Sequence, residues 1–241
     1  VRRVALFVTC LVDQLYPHVG EAAVRVLERA GCGVVFPPAQ TCCGQAVFND
    51  GFWDDARRLA RGWLDAFEGA EAVVAPSGSC VALVRHWYPR LFRHDPILFE
   101  RAQALAGRTY DIAEFLVRVL GATDLGARFP AAVAYHASCH GLRGLSLREE
   151  PRRLLSAVRD LRLVPLRGTE ECCGFGGFFS VKFGALSGAM LQAKLDAIEA
   201  SGADVVTGTD MSCLMHIGGG LVRRGSRVQA MHLAEILAAS G

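Results

Sequence analysis

The residues with the most chemistry to offer are the cysteines. Cys10 is followed after 31 residues by Cys42-Cys43-Gly44, and after 36 more by Cys80. Cys139 is followed after 32 residues by Cys172-Cys173-Gly174, and after 39 more by Cys213. The pattern C…CCG…C thus occurs twice and uses eight of the nine cysteines, leaving Cys32 outside it. A thiol serves as one half of a disulfide, as a redox nucleophile or, once ionised, as a soft metal ligand. The odd count, in a 241-residue chain long enough to bury a core without staples, argues against a disulfide framework. Vicinal disulfides are strained and no C-x-x-C is present, which disfavours thiol–disulfide exchange at Cys42-Cys43 or Cys172-Cys173. Neighbouring thiolates diverge too far to chelate one small tetrahedral ion with ease, and zinc favours C-x2-4-C pairs that this sequence lacks. Four soft ligands per half suit an iron–sulfur cluster, [4Fe-4S] and one per half, with zinc as the alternative in one of them.

Glycines stand where such a centre needs them. Gly44 and Gly174 let the backbone turn behind two adjacent thiolates and bring N–H groups toward sulfur. Gly174-Phe175-Gly176-Gly177 opens a helix, whose N-terminus favours the negative charge of a thiolate-held cluster. The run lacks the GK[ST] ending of a phosphate loop and the spacing of a dinucleotide fingerprint. Other candidates near the site are His140 and His136, which flank Cys139, together with Lys182 after the second CCG and Arg143. His140 and Lys182 are the cofactor-facing choices, while Phe175, Phe178 and Phe179 are expected to cover the site. Cys32, between Gly31 and Gly33, reads as a small packed residue at a helix end.

These side chains need a scaffold that brings distant loops to one edge. Val4–Val8 and Ala131–Tyr135 are short apolar runs before the first cysteines, and residues 72–75 and 204–207 are runs before the last. Residues 20–30 carry Ala22, Ala23, Val26, Leu27 and Ala30 at helical spacing, followed by a strand Val34-Val35-Phe36 and a helix from about Phe52 to Phe67. A helix near 184–200 precedes the strand at 204–207, and residues 81–108 and 214–226 read as helical or irregular connections. The β-α-β-α-β order predicts an α/β fold of two tandem, pseudo-symmetric, Rossmann-like modules with parallel sheets, spanning 1–125 and 126–241. In a parallel sheet the carboxyl ends of the strands share one edge, where open α/β sheets place ligands. The cysteines fall at those ends.

Composition excludes several classes. A net charge of +2, with no Lys/Arg cluster interleaved with aromatics, argues against nucleic acid. No apolar stretch reaches the roughly 20 residues of a membrane span. The five-residue apolar run near the start lacks a cleavage site, so a cytoplasmic location is expected.

The duplicated module resembles the cysteine-rich CCG family, which includes a component of heterodisulfide reductase and the iron–sulfur subunits of glycolate oxidase and anaerobic glycerol-3-phosphate dehydrogenase. Its flanking phrases are most similar to the lactate utilization protein A group. They are Phe7-Val8-Thr9-Cys10-Leu11-Val12-Asp13, Cys42-Cys43-Gly44-Gln45, His136-Ala137-Ser138-Cys139-His140, Cys172-Cys173-Gly174-Phe175-Gly176-Gly177, Val181-Lys182 and Asp210-Met211-Ser212-Cys213-Leu214-Met215. The resemblance implies an iron–sulfur electron-transfer subunit of a complex oxidising L-lactate to pyruvate, alongside a ferredoxin-like iron–sulfur subunit and a third, smaller subunit. The alternatives are a zinc-stabilised scaffold, or the iron–sulfur subunit of a glycolate or other 2-hydroxy-acid oxidase. Complete family modules carry a C-x-x-C at the third position and a five-thiolate cluster. Here Ser77 and Asp210 stand three residues before Cys80 and Cys213, so four thiols remain per half and Asp210 is either an oxygen ligand or a hydrogen-bond acceptor beside the site.

Overall fold

Strand registers define the architecture of the computed structural model, which describes residues 2–240. Strands β1 (Arg2–Leu6), β2 (Cys32–Val35), β3 (Val73–Ala75) and β4 (Thr109–Asp111) form one parallel sheet in the order β2-β1-β3-β4. Strands β5 (Ala132–Tyr135), β6 (Arg162–Val164), β7 (Val205–Gly208) and β8 (Gln229–His232) form the second, β6-β5-β7-β8. The two orders are the same order repeated. Each sheet is interleaved with helices, as the α/β reading requires.

Each sheet has one strand more than the β-α-β-α-β pattern predicts. β4 and β8 are three and four residues long, too short for a period-two signal beside the helical phrases that follow them. The stretch 81–108 is two helices, Gly78–Leu91 and Pro96–Ala106, and 214–226 lies largely within the helix Met211–Arg223. Cys32 opens β2 rather than ending a helix, and it is buried there.

Side-chain alternation along the strands decides which layers meet. Val4 and Leu6 of β1 with Val74 of β3 face one way; Ala5, Phe7, Val73 and Ala75 face the other. In the second sheet Val133, Tyr135 and Val205 take the first role, and Ala132, Ala134 and Val206 the second. The first sets from both sheets belong to a single core, filled by Ala22, Ala23, Val26 and Leu27 of the helix Pro17–Arg29, by Leu154 and Leu155, and by Leu233, Ile236 and Leu237. Arg29 clips this layer by donating to the carbonyl oxygens of Leu237 and Ala238 at 3.0 and 3.1 Å. The outer faces keep separate cores, one of them the aromatic group Phe7, Trp63, Phe67 and Tyr88. The shared middle layer holds the two sheets in one orientation, which brings their carboxyl ends together. No helix among the described residues is long and apolar enough to cross a membrane.

Candidate metal centre

The carboxyl-end loops carry the cysteines. Cys10 begins the short helix Cys10–Leu15 just beyond β1, and Cys80 lies in the first turn of the helix Gly78–Leu91 beyond β3. Cys213 occupies the corresponding first turn of Met211–Arg223 beyond β7, and Cys139 precedes a π-helical turn, His140–Gly144, beyond β5. Cys80 and Cys213 thus each stand in a first turn, where a helix presents N–H groups that have no partner within it.

Hydrogen bonds between thiols run Cys10–Cys42–Cys43–Cys80 in the first half and Cys139–Cys172–Cys173–Cys213 in the second. The Cys43 and Cys80 sulfurs are 3.3 Å apart. All eight line a single cavity of about 230 Å³ between the two sheets' carboxyl ends. Cys43, Cys80, Cys173 and Cys213 form its buried floor, and the other four are partly exposed. His140, Gly176, Gly177 and Phe175 line the same cavity.

The glycines after each pair shape the loops. Gly44 (φ +85°) and Gly174 (φ +90°) are left-handed, and their N–H groups point at Cys42 Sγ and Cys172 Sγ, 3.3 and 3.4 Å away. A β-carbon on Gly174 would come within 2.7 Å of the Ser187 carbonyl oxygen, a closer approach than side chains make. Thr9, immediately before Cys10, has φ 70° and ψ 151°, a region almost confined to glycine. Such strain, about 1–3 kcal/mol, persists only where surrounding contacts impose it. Gln40 supplies one: its amide takes the Val8 N–H at 2.9 Å and donates to the Leu6 carbonyl at 3.0 Å, tying the CCG loop to the end of β1. In the second half Thr169 does this work, donating to the Tyr135 carbonyl at 2.6 Å. Tyr88 donates to the Cys43 carbonyl at 2.8 Å, Ser187 to Gly174 at 2.8 Å, and buried Lys194 to Gly168 at 2.5 Å.

Electrostatics single out one thiol per half. Hydrogen bonds from Cys10 and Cys43, with the Gly44 amide, hold Cys42 down to about 3. Those from Cys139 and Cys173, with the Gly174 amide, hold Cys172 down to about 2. The donors shift upward in return: all four are raised chiefly by their bond to that thiolate, Cys10 and Cys139 next by burial, and Cys43 and Cys173 next by their bonds to Cys80 and Cys213 and then by burial. Cys42 and Cys172 are therefore the thiols on which negative charge is favoured.

Asp210 answers the question raised by the missing fifth cysteine. One of its oxygens caps its own helix, accepting from the Ser212 N–H at 3.2 Å and the Ser212 hydroxyl at 2.5 Å. The other accepts the Ser79 N–H of the opposite half at 2.8 Å. Ser77 and Asp210 pair as an antiparallel bridge, and Gly78 donates to the Thr209 carbonyl at 3.3 Å. These two positions therefore form the seam between the halves, with both carboxylate oxygens committed to donors.

The remaining candidates separate. His140 reaches across the seam, its Nε2 3.2 Å from Gln45 Nε2. Lys182 is not among the cavity's lining residues; its ammonium pairs with Asp50 of the other half. Arg143 donates at the surface to the Glu170 carbonyl, 3.4 Å away. Phe175 lines the cavity, whereas Phe178 is 41% exposed and Phe179 packs on Gly176 and Phe183. The sequence carries no local signal for Gln40, Thr169, Tyr88 or Lys194, because each acts on a segment more than 20 residues away.

Comparison with known proteins agrees with this architecture. The cysteine-rich domain family CCG matches residues 4–85 and 133–218. Lactate utilization protein A of Exiguobacterium sp. is 49% identical over 236 residues, covering 97% of this chain and 96% of that protein. The chain belongs to this family. Lactate utilization protein A of Bacillus subtilis is 46% identical over 235 residues, 98% of each chain. Among solved structures, a hypothetical protein from Helicobacter pylori superposes with a TM-score of 0.67 at 13% identity, over 98% of this chain and 48% of that one. That likeness bears on the fold alone.

The donor set fits a thiolate-held centre in each half. Four sulfurs converge, a backbone N–H faces one of them, and in the second half the buried His136 ring offers two nitrogens with no hydrogen-bond partner.

Proposed function

We propose that this chain is an iron–sulfur electron-transfer subunit of a multi-subunit complex that oxidises L-lactate to pyruvate. The observation that carries this reading is the convergence of eight cysteines, as two hydrogen-bonded quartets, on one cavity. Cys10, Cys42, Cys43 and Cys80 would hold one centre and Cys139, Cys172, Cys173 and Cys213 the other. An iron–sulfur cluster bound there supplies one-electron acceptance and release. The chain's own residues do the rest: Gly44 and Gly174 direct N–H groups at sulfur, which stabilises negative charge, and Phe175 with the floor of buried side chains restricts water. The choice of lactate rests on the names of the relatives, which match this chain over nearly its whole length. The proposed partners, a ferredoxin-like iron–sulfur subunit and a third smaller subunit, would take up the electrons and complete the substrate site.

The test is metal and acid-labile sulfide analysis on protein purified without oxygen, followed by reduction with L-lactate in the presence of the partner subunits. Iron and sulfide in near-equal amounts, with an EPR signal that appears on adding lactate, is the expected result. Zinc without sulfide would overturn the electron-transfer reading in favour of a structural scaffold. Iron and sulfide that respond to glycolate but not to lactate would replace the substrate.

A further inference from the structure

The two halves differ at one position that bears directly on the metal. Phe7 and His136 each stand three residues before the first cysteine of their half, at the carboxyl end of equivalent strands. Phe7 is fully buried and packs edge-on against Trp63 and Phe67. His136 is equally buried, at 1% exposure, yet neither ring nitrogen has a hydrogen-bond partner. A buried imidazole in that state has lost its bonds to water without replacing them, and native structures rarely leave such a group without a purpose.

The surroundings indicate the purpose. A ring nitrogen of His136 and the sulfurs of Cys173 and Cys213 all lie within 4.8 Å of one another, and all three residues are buried. That is close to the spacing of donors around one metal atom, since ligands about 2.0–2.3 Å from a common centre stand up to roughly 4.5 Å apart, and a small side-chain adjustment would bring all three onto it. The Thr169 carbonyl also bears on the ring without making a hydrogen bond of ordinary geometry, and a backbone carbonyl is the usual partner of the nitrogen that a ligating histidine keeps free. The first half offers no equivalent, because a phenyl ring cannot ligate.

Building on the metal-binding reading above, we propose that His136 is a ligand of the second centre, sharing one metal atom with Cys173 and Cys213. The second centre then has five protein donors, Cys139, Cys172, Cys173, Cys213 and His136, and the first has four sulfurs alone. Imidazole adds a neutral donor without changing the number of thiolates, while buried Lys194 places an ammonium near the same sulfurs. The ammonium makes the second centre the more readily reduced of the two.

The test uses the full chain, loaded anaerobically with iron and sulfide and with its histidines labelled with ¹⁵N. It compares the wild type with His136→Phe, the residue of the first half, and with His136→Gln. The expected result is a histidine-nitrogen hyperfine coupling on one of two reduced signals, absent in both variants, with the other signal unchanged. A centre that stays diamagnetic, zinc included, is read instead by X-ray absorption, where an imidazole scattering pattern should vanish in the variants. Metal-loaded wild type with no histidine coupling and no imidazole scattering would refute ligation by His136 while leaving the electron-transfer reading intact. Wild type that binds neither iron nor zinc would overturn both.

Discussion

Replacing Asp210 by alanine separates a carboxylate that holds the two halves together from one that holds metal. The side chain is 2% exposed and accepts three hydrogen bonds, two from Ser212 and one from the Ser79 N–H across the seam. Removing it deletes the N-cap of Met211–Arg223, which costs about 0.5–2 kcal/mol. It also strands the Ser79 N–H in a buried site, at about 1–3 kcal/mol. The Ser212 hydroxyl is partly exposed and can turn to water, so it adds little. Together these give a loss of about 2–5 kcal/mol. In a chain of this size about 3 kcal/mol lowers the melting temperature by roughly 6–12 °C. The assay is thermal unfolding alongside metal content per chain, measured well below the transition. The expected outcome is a clearly less stable protein that, while folded, keeps the metal of both halves. Native stability combined with loss of second-half metal would refute it and make Asp210 a ligand.

Three further outcomes follow from the same geometry. Gly174→Ala combines a left-handed residue with a β-carbon 2.7 Å from the Ser187 oxygen, while Gly44→Ala, also left-handed, approaches nothing nearer than the Leu59 side chain at 3.3 Å. The first should cost about 2–5 kcal/mol and the second about 1–2, so chemical denaturation that ranks them the other way contradicts the loop geometry. His232 is fully buried, accepts the Ala234 N–H on Nδ1, and is held down to about 4, chiefly by burial. Its folded value lies below the unfolded one near 6.5, so the unfolded state binds more protons between those values. The stability that neutral His232 supplies is complete above pH 6.5 and is lost as pH falls toward 4, by about 3 kcal/mol in the limit. His232→Asn, which can still cap but cannot titrate, should flatten that acid limb in pH-dependent unfolding; an unchanged limb would assign it to other groups. Cys172→Ser or Cys213→Ser should remove the metal of the second half and leave that of the first, and equal loss from both on elemental analysis would mean that the two quartets fill together.

The chemistry was legible because it lies in short, local patterns. Paired cysteines followed by glycine, repeated at nearly equal spacing, mark four thiols per half whatever surrounds them, and the strand–helix alternation places them at the carboxyl ends of a parallel sheet. Gly44 and Gly174 carry the left-handed turns that their positions suggest. What the pattern cannot express is contact between segments far apart in the chain. Lys182 looks like a cation for the site, yet its partner is Asp50, which no local spacing could reveal. The brief strands β4 and β8 escape notice because a few residues carry too little periodicity and take their state from the neighbouring strand.

Sequence alone thus determined the thiol pattern, the duplication and the sheet edge on which the thiols stand, since these depend on residue identity and period. Only the tertiary structure decided that both quartets open on one cavity and that Asp210 joins the halves. It also decided that a partnerless histidine sits among the sulfurs of one half, where the other has a packed phenylalanine. The physical reason is the shared middle core: burying Val4, Leu6 and Val74 together with Val133, Tyr135 and Val205 around the same helices sets the angle between the sheets. That angle places residues more than 100 positions apart within hydrogen-bonding reach.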